Sequence, residues 1–213
     1  MPPTIVVVAG TSSNVGKTTL VCDLLSALPR WEAIKITRGH FRSCGKNPEA
    51  CCVSHLLGGE PIVYSEPERT RAPGKDTARF WEAGASNVHW MIGTSDQVQS
   101  GVTQAIDKVR SPGVIIEGTS VLRFLSPALS VLVVPTVAGE VKPSARRALR
   151  EGRIHAVYVS SSSDEAPDVA PSRAELDGLP VFSRNSLPDL VAQIVQSHSL
   201  SLMDACHPYE HRI

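Results

Sequence analysis

Residues 10–19 read Gly-Thr-Ser-Ser-Asn-Val-Gly-Lys-Thr-Thr and directly follow the apolar run Ile5-Val6-Val7-Val8-Ala9. A β-branched run of that kind suits a strand buried on both faces. Beyond the loop, Leu20, Val21, Leu24 and Leu25 recur at helical spacing. A strand that passes through a glycine-bracketed loop into a helix turns backbone N–H groups towards an anion at the helix N-terminus. Lys17 is then placed to reach the β- and γ-phosphates of a nucleotide, and Thr18 to put its hydroxyl on Mg²⁺. The spacing departs by one residue from the usual Gly-x4-Gly-Lys-Ser/Thr pattern. Counting back from Gly16, the first glycine slot holds Thr11, and Gly10 comes one position early. Read as a phosphate loop, the binding set is Gly10, Thr11, Ser12, Ser13, Asn14, Val15, Gly16, Lys17, Thr18 and Thr19. The bland alternative is a Gly/Ser turn that happens to end in Lys-Thr.

The rest of the chain alternates between strand and helix patterns. Strands are predicted over Thr4–Ala9, Ala33–Thr37, Pro61–Tyr64, Asn87–Ile92, Gly113–Glu117, Ser130–Val134, Ile154–Ser160 and Pro180–Phe182. Helices are predicted over Lys17–Leu28, Lys75–Ala85, Ser95–Val109, Lys142–Glu151 and Leu187–Val195. Continuous apolar strands separated by helices imply an α/β fold of three layers with a mostly parallel sheet, and the loop Gly10–Thr19 makes the expected arrangement that of a P-loop NTPase. The length of 213 residues suits one domain. The expected division is a single domain over 1–196 and a weakly periodic tail over 197–213. The Ser-, Asp- and Pro-rich stretch Ser160–Pro171 reads as a surface loop.

Lysine and arginine number 21, aspartate and glutamate 21, so the formal net charge is zero and electrostatics offer no case for broad nucleic-acid or anionic-membrane binding. No apolar run approaches the roughly 20 residues of a membrane span, and no basic region precedes the first apolar stretch. The expected setting is the cytoplasm, with no nucleic-acid and no membrane partner.

Ligands of open parallel sheets bind beyond the carboxyl ends of the strands, so the residues there are the next candidates. The second strand delivers Lys35, then Thr37-Arg38-Gly39-His40. A cation at that edge can stabilise charge on a transferring phosphoryl group, or it can simply snorkel to the surface. Lys17 and Lys35 are therefore the candidate catalytic cations. Glu117 ends the apolar strand Val114-Ile115-Ile116 and needs a partner, which Mg²⁺ near Thr18 or a basic residue would supply. Asp76, in Gly74-Lys75-Asp76-Thr77, is either a helix cap or a further carboxylate at the metal. The candidate metal set is thus Thr18, Asp76 and Glu117.

Three segments together resemble the molybdopterin-guanine dinucleotide biosynthesis adaptor family, MobB. They are Gly10–Thr19, the run Lys75-Asp76-Thr77-x-Arg79 leading to Ala83-Gly84-Ala85, and Ile115-Ile116-Glu117-Gly118. Their order and spacing agree over residues 4 to about 120. Looser similarity, in the long phosphate loop and the Glu-Gly strand end, runs to dethiobiotin synthetase and the cobyrinic acid amidation enzymes. The resemblance implies a Mg²⁺-dependent nucleotide site with Lys17 and Thr18 on phosphate and metal, and Asp76 and Glu117 as acidic metal-site residues. It places Lys35 near the transferred phosphate. It further implies GTP as nucleotide, with a protein partner or a homodimer. No Asn-Lys-x-Asp guanine-reading motif occurs, so ATP and GTP both stay open.

Outside this pattern stands His40-x3-Cys44-x6-Cys51-Cys52-x2-His55. Cys44, Cys51, Cys52 and His55 can hold zinc or an iron–sulfur unit, although no pair of Cys-x2-Cys units is present. Cys206, His207 and His211 are further donors. The competing reading is buried thiols acting as small apolar residues. Three functions follow as expectations: a slow NTPase or adaptor of MobB type in cofactor biosynthesis, a small-molecule kinase or ATP-dependent ligase, and a nucleotide-switched metal-handling accessory protein.

Overall fold

The structure, a computed structural model, describes residues 2–39, 53–135, 140–160 and 173–206. The strands are β1 (Thr4–Gly10), β2 (Glu32–Arg38), β3 (Ile62–Tyr64), β4 (Val88–Gly93), β5 (Gly113–Glu117), β6 (Leu129–Val134), β7 (Ala156–Val159) and β8 (Val181–Phe182). They form one sheet in the order β3-β4-β2-β5-β1-β6-β7-β8. Every neighbouring pair is parallel except β3 with β4. The expected three-layer α/β architecture with a mostly parallel sheet is what forms.

The layering follows from strand alternation. Val6, Val8, Ile115, Val131 and Val133 face one core, which α1 (Lys17–Ala27) closes with Leu20, Val21, Leu24 and Leu25. Phe80 of α3 (Asp76–Glu82) and Leu190 and Ile194 of α6 (Leu187–Cys206) join it. Val7, Ala9, Val114, Ile116, Leu132 and Val134 face the opposite core. There α4 (Val98–Asp107) contributes Val98, Val102 and Ala105, and α5 (Pro143–Arg150) contributes Ala145 and Ala148. A short helix, α2 (Pro67–Thr70), precedes α3. Both faces of the central strands are covered, so they read as unbroken apolar runs. Each large side chain so buried contributes roughly 1.5–3 kcal/mol.

Several element boundaries shift by a residue or two, and three helices differ most from expectation. The helix predicted over 75–85 spans only Asp76–Glu82, because Gly84 turns left-handed at φ 95°. The helix predicted from Ser95 opens with a single 3₁₀ turn, Ser95–Gln97, under a capping box between Thr94 and Gln97. The closing helix runs on to Cys206 although its apolar periodicity fades. A tertiary contact holds that extension, since His198 Nδ1 lies 2.7 Å from Thr4 Oγ1 and its ring meets Trp31 edge-on at 5.7 Å. Among the described residues no helix is long and apolar enough to cross a membrane. The loop expected over Ser160–Pro171 lies, after Ser160, outside the described residues.

Sheet register places the site. Glu117 pairs across β5 with Val8 of β1 on one side and Lys35 of β2 on the other. The strand ends carrying the loop, the lysine and the glutamate therefore lie side by side.

Candidate functional site

The loop after β1 is held by its close contacts. A Cβ on Gly10 would come within 2.7 Å of both Val15 and the Lys17 stem, so the glycine one position early is where the loop folds over its own lysine. Asn14 (φ 58°) and Gly16 (φ 98°) take left-handed conformations that reverse the chain into α1. The Gly16 carbonyl then accepts the first helical bond, from Leu20 N at 3.0 Å.

The loop is tied down on several sides. Gly10 N donates to Thr119 Oγ1 at 2.9 Å, and that hydroxyl donates back to Gly10 O at 3.1 Å. Thr11 N donates to Val133 O of β6, and Thr11 O accepts from Lys142 N. Ser160 Oγ, at the end of β7, donates to Val15 O at 2.8 Å. Contacts at this many points hold the loop in one conformation.

Lys17 Nζ folds back to donate to Ser12 O at 3.1 Å. Burial lowers its pKa, and Glu117 partly offsets that. Thr18 Oγ1 donates to Glu117 Oε2 at 2.9 Å. Lys35 Nζ bridges two carboxylates, Glu117 Oε1 at 2.7 Å and Asp76 Oδ2 at 2.5 Å. Burial alone would raise the Asp76 carboxyl. The hydrogen bond and charge of Lys35, with Arg79 beyond, outweigh it and hold Asp76 below its ordinary value. Arg79 reaches Thr19 Oγ1 at 3.5 Å. These groups line a cleft of about 460 Å³ beside the loop.

The structure thus gathers Lys17, Thr18, Lys35, Asp76 and Glu117 from four segments. Asp76 makes no cap bond, since Lys75 holds the cap position and the Asp76 carboxylate turns to Lys35. Two carboxylates and a hydroxyl are hard oxygen donors. They suit Mg²⁺, which takes one or two carboxylates and completes its octahedron with waters and phosphate oxygens. Among the described residues, no group of three or more His, Cys, Asp or Glu side chains that could hold a metal ion gathers.

His40, Cys44, Cys51, Cys52, His207 and His211 lie outside the described residues, as does the side chain of Cys206. His55 sits in a 3₁₀ turn, Ser54–Leu56. Cys22 is half-buried, and its thiol is pushed up to about 11, chiefly by burial.

Sequence reasoning overlooked Thr119, Ser160 and Lys142. Thr119 and Ser160 follow strand ends, which is the signal that could have found them. Lys142 carries no such signal.

No family model and no curated protein matches this chain. Among solved structures, the signal recognition particle 54 kDa protein of Aeropyrum pernix K1, in complex with GDP, is similar with a TM-score of 0.45 and 14% identity. The match covers 94% of this chain and 50% of that one, so the chain spans about half the length of that protein.

Proposed function

We propose that this chain binds a nucleoside triphosphate with Mg²⁺ on the loop Gly10–Thr19 and acts as a slow NTPase of the MobB adaptor type. The observation that carries the reading is the convergence of Lys17, Thr18, Lys35, Asp76 and Glu117 on one cleft beside a loop that turns left-handed into α1. In this reading the loop N–H groups cradle the phosphates and Lys17 leaves Ser12 O for the β- and γ-oxygens. The metal, when bound, neutralises charge on those oxygens. Thr18, Glu117 and Asp76 hold it, directly or through water. Lys35, released from one carboxylate, faces the charge that builds on the γ-phosphoryl group. Positioning and charge stabilisation are the whole of the chemistry asked of the side chains.

Calorimetric titration with Mg·ATP and Mg·GTP tests this. Saturable binding of either, lost on Lys17→Ala with the fold intact, supports it. Equal affinity in the variant removes it. GTP preference would favour the MobB-type adaptor. ATP preference would favour the kinase or ligase reading.

A further inference from the structure

A second cavity, of about 360 Å³, opens between α4, α5 and the 3₁₀ turn Thr119–Arg123. It lies on the same strand-end edge as the nucleotide cleft. Arg38, Arg123, Arg147 and Arg150 line it against a single carboxylate, Glu151. That is four cations to one anion, in a chain whose 21 basic and 21 acidic side chains balance as a whole. Arg147 pairs with Glu151 at 3.6 Å. Among the described residues, Arg38, Arg123 and Arg150 have no carboxylate within 4.0 Å. Exposed guanidinium groups without a carboxylate partner are open to an anionic ligand.

The floor is apolar, with Val98 and Leu122 buried and Phe124 under the Arg123 guanidinium at 5.3 Å. A narrower cavity of about 110 Å³, lined by Lys17 and Lys142, shares Arg38 and Thr119 with this one. The basic basin therefore leads to the phosphate-loop lysine. We propose that it binds a small organic anion, an apolar ring or chain bearing a phosphate or carboxylate, alongside the nucleotide. Guanidinium forks recognise both groups bidentately. An apolar floor with a few charged groups is the ordinary make-up of a small-ligand site, and the concavity suits a compact ligand rather than a polymer.

This adds a ligand to the nucleotide reading, and one experiment separates the two. The full chain, saturated with Mg²⁺ and a non-hydrolysable triphosphate, is titrated calorimetrically with phenyl phosphate and, separately, with benzoate. The expected result is saturable binding of at least one probe, weakened by about tenfold or more in Arg123→Gln/Arg150→Gln. Nucleotide affinity should be the same in that variant, and both arginines are exposed, so the fold should survive. The stronger probe identifies the anionic group. Binding of neither probe, or unchanged binding in the double variant, overturns the proposal. If no triphosphate binds, the titration is run without it. Probe binding lost with the arginines then upholds the basin while the nucleotide reading falls. Probe binding lost only with Lys17→Ala assigns the anion to the loop and overturns the basin.

Discussion

Two glutamates lie on neighbouring strands at opposite strand ends of the same sheet, each with a side chain 4% exposed, and they are held in different ways. Glu32, at the start of β2, accepts from Arg110 N and Ser111 N, both at 2.8 Å, and from His89 Nε2 at 2.7 Å. His89 Nδ1 in turn meets Ser65 Oγ at 2.8 Å. Backbone donors cannot move away, so this network is closed and structural. Among the described residues, the carboxylate of Glu117, at the end of β5, is held by two side chains, Thr18 and Lys35, and both face a cleft. Those partners can be exchanged for a ligand. The same residue type, equally buried, is fastened by backbone at one set of strand ends and by exchangeable side chains at the other.

Breaking the closed network should have the largest effect. Glu32→Ala leaves two backbone donors and His89 without their acceptor. Denaturant unfolding should show a loss of about 3 kcal/mol or more, with nucleotide titration of the folded fraction unchanged. Next comes Lys17→Ala, which should weaken Mg-nucleotide binding about 100-fold, or about 2.7 kcal/mol, with little change in unfolding midpoint. A Glu117→Gln protein should keep much of its nucleotide affinity while its Mg²⁺ dependence flattens. An unchanged Mg²⁺ dependence would take Glu117 out of the metal set.

The pH response should divide along the same line. Burial would raise the Glu32 carboxyl, but its bonds to His89, Arg110 and Ser111 hold it below its ordinary 4.5. A folded value below the unfolded one means the stabilisation is complete above the unfolded value and is lost as pH falls through the folded value. Unfolding midpoints should therefore drop below about pH 4.5, and Glu32→Gln should flatten that part of the profile. Asp76 is lowered too, mainly through Lys35 against burial. Its contribution should fade over a lower interval, below its ordinary 3.8, and disappear in Lys35→Met. The smallest change is Ser65→Ala, which removes the outermost bond of the closed network and should cost about 1 kcal/mol or less by the same unfolding assay.

The cleft edge was far more legible in the sequence than the fastened one. Lys17, Thr18, Lys35, Asp76 and Glu117 could all be proposed from local pattern, because a motif and the strand-end rule point at them. Glu32 fell just outside the strand expected from Ala33, and nothing nearby in the chain announces its partners at positions 89, 110 and 111. Thr119 and Ser160 stayed hidden for a similar reason. Their hydroxyls act on loop atoms more than a hundred residues away in the chain. The four arginines of the second cavity lie on three separate segments and look like ordinary surface charge until the fold brings them together.

The sequence by itself determined the alternating α/β order, the mostly parallel sheet and the glycine-bracketed turn from β1 into α1. Those depend on short-range periodicity and on glycine's conformational freedom. The tertiary structure alone decided which cations face which carboxylates. Sheet register set Lys35 beside Glu117, and α3 packing brought Asp76 to the same ammonium. Such pairings are long-range, since an ion pair depends on distances of a few ångströms that only the folded chain supplies.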